Sequence, residues 1–418
     1  MQDFSNLVEK VENTLIPYFR KIEKRALFNQ EKVLNAFHHV KASESDLQGS
    51  TGYGYDDFGR DHLEQIYAHT FKADDALVRP QIISGTHAIT LALQSTLKNN
   101  DELLYITGSP YDTLLEVIGI NGNGVESLKE YGVRYNEVEL RDGRIDIPKV
   151  ITAINDNTKV VAIQRSKGYD QRPSITINEI EQAITSIKEV YPNIIIFVDN
   201  CYGEFTETRE PIEIGADIMA GSLIKNLGGG IAITGGYISG KKDLVEYCSN
   251  TLTAPGIGKD EGLSFGTTRN VLQGLYFSSK TTIESIKVAL LFAKVFEDLN
   301  YEIIPKIDDP RSDIVQAIKL HSSEKLKLFC KAVQESCSVD ANLTPIADDM
   351  PGYEDPVIMS SGGFVEGATS ELSCDGPLRE PYTVYLQGGL NKYHGKLALM
   401  KVLEKFIDNN FLEINSIV

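Results

Sequence analysis

Ile194-Ile195-Ile196-Phe197-Val198-Asp199, followed downstream by Ser222-Leu223-Ile224-Lys225 and then glycines, is the stretch that decides the fold. An unbroken apolar run closed by an acid reads as a fully buried strand of a parallel sheet, with a carboxylate at its carboxyl end. The second apolar run, with Met219 ahead of it, delivers an amine 26 residues later into Gly228-Gly229-Gly230. An acid and an amine at neighbouring strand ends meet the needs of pyridoxal phosphate. The amine of Lys225 holds the aldehyde as a Schiff base, and the carboxylate of Asp199 keeps the pyridine nitrogen protonated, so that the ring can accept electrons.

A third segment completes the constellation. Ser84-Gly85-Thr86 follows apolar Ile82 and Ile83 and opens a helical pattern through Ile89, Leu93 and Leu97. Free backbone N–H groups and the positive end of the helix dipole make such a turn a phosphate cup. The glycines after Lys225 are not a Walker-type loop, because the lysine precedes them. Around this core the chain alternates strands and helices: strands at Leu103–Ile106, Val160–Ile163 and Ile194–Val198, with a helix through Ile180, Ile184 and Ile187 whose start carries a Thr176/Glu179 capping box. The alternation predicts an α/β fold with a mostly parallel sheet and ligands at the strand carboxyl ends.

Leu7, Val11, Leu15, Tyr18 and Ile22, then Val33 and Phe37, recur at helical spacing and predict an amphipathic amino-terminal arm in two pieces, of a kind that packs on another subunit. Gly49 to Arg60 is rich in glycine and aromatics and reads as a functional loop. A strand is expected over Ile231–Ile238, a loop from Thr251 to Arg269, a helix over Thr282–Leu299, strands near Phe364 and Val384, and a closing helix from Lys392 to Phe406. The division expected is 1–62 for the arm and loop, 63–280 for a large cofactor domain and 281–418 for a smaller α/β carboxyl-terminal domain.

Other residues carry two readings each. Tyr111, behind Gly108-Ser109-Pro110, is a stacking platform for the pyridine or a packed core aromatic. Tyr202, three residues after Asp199, reaches the cofactor's phenolic oxygen or merely packs. Arg60 and Arg379 suit phosphate and substrate carboxylate, which favour a planar bidentate partner, although most arginines only decorate surfaces. His87 is read as a hydrogen-bonded structural residue.

The 418 residues hold 41 basic and 59 acidic side chains, a net charge of −18 that repels nucleic acid and anionic lipid. Five scattered cysteines without a CxxC pair predict neither a disulfide framework nor a zinc site, and no His/Asp/Glu cluster stands at metal-ligand spacing. With no signal peptide or membrane-length apolar run, the expectation is a cytoplasmic protein with a small-molecule substrate.

Seven stretches together resemble the pyridoxal phosphate enzymes of the aspartate aminotransferase fold, and more narrowly the Cys/Met metabolism lyases and the bacterial group labelled aluminium resistance protein or methionine gamma-lyase-like. They are Ser84–Ala88, Gly108–Asp112, Gln164–Tyr169, Val198–Phe205, Gly221–Asn226, Ala254–Lys259 and Asp375–Tyr382. The resemblance implies Lys225 as the Schiff-base lysine, Asp199 at the pyridine nitrogen, Tyr111 on the ring, and Gly85, Thr86 and Ser222 on the phosphate. It also implies that Tyr55 and Arg60 cross to a neighbouring subunit's phosphate, in a homodimer or homotetramer with shared active sites. The activity it implies is α-proton abstraction from a sulfur-containing amino acid by Lys225, then β- or γ-elimination, with Tyr111 a candidate proton donor and Arg379 on the α-carboxylate. Asp112 stands where gamma-lyases proper carry a cysteine, and the Asp199/Tyr202 spacing resembles aminotransferases. Transamination, or a cofactor-binding stress protein without turnover, are the rival expectations.

Overall fold

Asp199 closes β5 (Ile195–Asp199) and Ser222 closes β6 (Ile218–Ser222), its parallel neighbour. The computed structural model describes residues 2–350, 353 and 355–413. The remaining strands of this sheet are β1 (Asp75–Arg79), β2 (Glu102–Tyr105), β3 (Arg134–Glu137), β4 (Thr158–Gln164) and β7 (Gly236–Gly240). They run in the order β1-β7-β6-β5-β4-β2-β3; β6, β5, β4, β2 and β3 are parallel, and β7 is antiparallel to both its neighbours. Strands covered on both faces bury nearly every residue: β2, β6 and β7 are buried throughout, as parallel sheets sandwiched by helices require.

Ten helices complete the framework among the described residues: α1 (Gln2–His39), α2 (Phe58–Phe71), α3 (Gly85–Thr96), α4 (Asp112–Ile118), α5 (Ile147–Ala153), α6 (Ile177–Val190), α7 (Lys242–Leu252), α8 (Thr268–Asp298), α9 (Ser323–Gln334) and α10 (Lys392–Asp408). A second, wholly antiparallel sheet has the order β10-β11-β12-β13-β9-β8, with β8 (Glu302–Ile304), β9 (Gln316–Lys319), β10 (Ala347–Asp348), β11 (Val357–Ser361), β12 (Ser373–Pro377) and β13 (Thr383–Gln387). Its core joins α9 and α10 to the second half of α8. The first half of α8, through Val271, Leu272 and Leu275, belongs instead to a core of the large sheet. One rod therefore passes through both.

The capping box on α6 forms as expected, with the Glu179 N–H donating to Thr176 and the Glu179 carboxylate accepting from the Thr176 N–H. Other expectations need correcting. The amino-terminal arm is one helix running through Pro17. Its Val8, Val11, Leu15, Phe19 and Ile22 are buried in the carboxyl-terminal core of this same chain, and Val33 and Ala36 in a large-sheet core. Arg60 lies in the first turn of α2 rather than in a loop, because the Asp57 side chain caps that helix by accepting from the Arg60 N–H. The expected loop after Thr251 is narrowed at both ends, α7 running to Leu252 and α8 starting at Thr268. Extended structure over Ile231–Ile238 begins only at Gly236, since Gly229, Gly230 and Gly235 take left-handed φ values that break a strand. Phe364 is exposed between strands, and the pairing expected near it occurs at β11 and β12.

Candidate active site

A cavity of about 930 Å³ opens where the carboxyl ends of the parallel strands face the antiparallel sheet. Its floor is built from the motifs of the large sheet. Ser84 is the N-cap of α3 and accepts from the His87 N–H at 3.1 Å, which leaves the N–H groups of Gly85 and Thr86 at the helix start. The His87 ring turns back, its Nδ1 3.2 Å from the Ile83 N–H, and does structural work. A Cβ at Gly85 would lie 3.2 Å from both Cys201 Sγ and Ser222 Cβ, so backbone alone fits at this point of the floor.

Asp199 is buried, its Oδ1 accepting from the Cys201 N–H at 3.0 Å. Burial pushes its carboxyl up; the Cys201 N–H and the Lys225 charge pull it back only in part. The chain then turns sharply: Tyr202 has φ of 68°, an uncommon conformation for an aromatic residue. The side-chain amide of Asn226 fixes that turn, donating to the carbonyls of Tyr202 (2.9 Å) and Glu204 (3.0 Å). The residue after the lysine thus clamps the residues after the acid. The Lys225 Nζ stands 3.8 Å from the centre of the Tyr202 ring. Burial disfavours its charged form, but Tyr202, Cys201 and Asp199 around it more than compensate and hold it above a free lysine.

Tyr111 precedes α4. Its N–H donates to Gln164 Oε1 at 3.0 Å, and its hydroxyl lies 3.0 Å from that of Thr86 at the start of α3. Burial pushes its phenol far above a free tyrosine.

Nine of the expected site residues therefore share one cavity: Ser84, Gly85, Thr86, Tyr111, Asp199, Tyr202, Ser222, Lys225 and Arg379. Arg379 is half-exposed and pairs with Asp355 at 3.2 Å. Tyr55 and Arg60 do not line it. The Tyr55 hydroxyl reaches Glu261 at 2.7 Å from an exposed position. The guanidinium of Arg60 is buried on the carbonyls of Gly54 (2.7 Å) and Gly262 (3.2 Å), tying the glycine-aromatic segment to the one after α7. Residues the motifs did not single out also face the cavity: Cys201 in the floor, and Tyr169, Asp375, Tyr385 and Gln387 opposite. Cys201 was legible by its place two residues after the acid; Tyr169 and Asp375 lie in stretches that carry the resemblance but were given no role, and Tyr385 and Gln387 lie outside those stretches.

The donor set suits pyridoxal phosphate. A helix start with a glycine and two hydroxyls suits the phosphate, a buried carboxylate the pyridinium, a buried amine the aldehyde, and a flat phenol the ring.

The model of the family described as methionine gamma-lyase matches residues 4–407. The YnbB protein of Bacillus subtilis (strain 168) is 47% identical over 405 residues, covering 96% of each chain. A carbon-sulfur lyase involved in aluminum resistance from Clostridium novyi NT has a solved structure with 42% identity and a TM-score of 0.93, covering 97% of this chain and 96% of its own. The pyridoxal-5'-phosphate dependent protein YhfS of Escherichia coli shares the fold at 16% identity, with a TM-score of 0.63 over 93% of this chain and 97% of its own. The architecture is the aspartate aminotransferase-like fold.

Proposed function

This chain belongs to the methionine gamma-lyase family, whose members depend on pyridoxal phosphate, and from that premise we propose that it is a carbon–sulfur lyase acting on a sulfur-containing amino acid by β- or γ-elimination. The observation that carries this reading is the buried Lys225 amine, set over Tyr202, beside Asp199, and facing a cavity large enough for cofactor and substrate together.

Lys225 would hold the cofactor covalently, with Asp199 at the pyridine nitrogen, Tyr111 and Cys201 against the ring, and Gly85, Thr86 and Ser222 on the phosphate. Bound there, pyridoxal phosphate supplies an electron sink for charge developing at the substrate α-carbon. Asp199 is preorganised by the Cys201 N–H and needs no reorganisation to face a cation. The Lys225 amine would serve as the base that takes the α-proton. Arg379 would leave Asp355 to hold the α-carboxylate, a bidentate contact that fixes which α-carbon bond faces the amine. Tyr55, exposed on the glycine-aromatic segment, would serve a neighbouring subunit's phosphate in a working unit of at least a dimer, while Arg60, buried on carbonyls of its own chain, would hold that segment in place.

Transamination is the second reading, favoured by the place of Tyr202 three residues after Asp199; in it Lys225 would return the proton instead of letting a group leave. Purified protein given S-substituted cysteines and methionine separates the two. Thiol, keto acid and ammonia released together support the lyase; amino transfer to an added keto acid without thiol would replace it.

A further inference from the structure

The wall opposite Lys225 contains an acid with no assigned work. Asp375 lies in the middle of β12, between Met359 of β11 and Tyr385 of β13. It is buried yet lines the cavity. Gln387 Nε2 donates to its Oδ2 at 2.9 Å, and the Tyr169 hydroxyl hydrogen-bonds to it as well. Among the described residues no lysine or arginine pairs with it; Arg379, four residues on, turns to Asp355. A buried carboxylate without a cationic partner is costly unless it carries a proton.

We propose that Asp375 is the acid that protonates the departing sulfur, an inference that rests on the lyase reading above. Tyr111, on the opposite side of the cavity, is the weaker donor, because burial and Asp199 make its phenol harder to ionise. Burial pushes the Asp375 carboxyl up to about 6, against the hydrogen bonds from Tyr169 and Gln387 and, least of the three, the positive charge of Lys225. An uncharged Lys225 removes that last pull and so favours the protonated acid further. The other titratable groups around it are Tyr169, Tyr202, Tyr353 and the Cys374 thiol, all pushed toward their neutral forms by burial.

In the step itself the C–S bond breaks with its electron pair on sulfur, and the Asp375 proton makes the new S–H bond. Lys225 takes the α-proton, and the pair from that C–H bond ends in the new C=C bond. Proton return from the Lys225 ammonium to the Asp375 carboxylate, directly or through water, resets both groups.

The test compares Asp375→Asn with the wild type, both loaded with cofactor, on two substrates. S-ethyl-L-cysteine expels a basic thiolate that needs a proton; S-(nitrophenyl)-L-cysteine expels a stable one that does not. The variant should lose about 10²-fold or more in kcat on the first and less than about 10-fold on the second, with Asp375→Glu recovering part of the loss. In protein stripped of cofactor, a carboxylic acid infrared band should fade as pH rises through about 6 and be missing from Asp375→Asn. Equal losses on both substrates, a rise in KM alone, or no difference in that band would overturn the assignment. Failure of the wild type to release thiol from either substrate would instead overturn the lyase reading, and the role of Asp375 with it.

Discussion

The floor and the opposite wall of the cavity are built on different principles. The floor comes from strand ends and the turns at them: Ser84 to Thr86 at the start of α3, Asp199 at the end of β5, and Ser222 to Lys225 running on from the end of β6. It presents an acid, an amine and helix-start N–H groups, each held at the edge of a seven-stranded sheet. The wall comes from a separate antiparallel sheet and from the segment after β4, and presents polar side chains such as Asp375, Gln387, Tyr385 and Tyr169. A fixed anion and a flat ring can be held by a rigid floor. On the reading proposed above, the wall would meet the substrate and deliver the proton to its leaving group.

The largest effect that could break this contrast is at the floor. Lys225→Ala should abolish turnover and leave no cofactor attached after borohydride reduction, read by intact mass; a variant that keeps both would remove the amine from the centre of the site. Asp199→Asn should keep the cofactor and lose about 10²–10³-fold in kcat, the scale of removing one preorganised electrostatic partner. A loss confined to KM would place Asp199 outside the chemistry.

At the wall the effect is on stability, and it is a gain. Asp375 has a folded value of about 6 against 3.8 for the free group, so the native state binds the extra proton between those values. Its favourable contribution is therefore full at low pH and is lost as pH rises through about 6. Asp375→Asn should accordingly gain on the wild type by about 2–3 kcal/mol between pH 4 and pH 7, read by urea denaturation of the cofactor-free protein. A gap that stays constant with pH would mean that the carboxyl is not held protonated. The smallest effect is a control away from both surfaces: Thr176→Ala removes the α6 capping box and should cost about 1 kcal/mol of stability with kcat unchanged.

The two surfaces also differ in how far they can be read from the chain alone. Asp199 and Lys225 stand out because burial on both faces makes β5 a continuous apolar run, so an acid at its tip is conspicuous. The phosphate cup is likewise local, a cap residue and a glycine at one helix start. The strand β12, Ser373-Cys374-Asp375-Gly376-Pro377, contains no β-branched residue and ends in glycine and proline, so propensity argues against a strand at all. Its neighbours β11 and β13 hold it extended through tertiary pairing, which no window of sequence encodes. Arg60 was placed in a loop for a related reason: the glycines before it are conspicuous, whereas the Asp57 cap that starts α2 is a single side chain. Its guanidinium bridges to Gly262, about 200 residues along the chain, a partner only the folded structure supplies.

The turn that follows Lys225 packs on α8 with glycine set against glycine. A Cβ on Gly274 would collide with the carbonyl oxygen of Gly228, and one on Gly229 would lie 2.6 Å from the carbonyl oxygen of Gly274. Because α8 also threads the second core, the same rod that sets the height of the wall gauges the position of the amine. Reactive nitrogen and proton-bearing wall are thus surveyed from one baseline, and a methyl group added at Gly274, lining no part of the cavity, would put the two out of alignment.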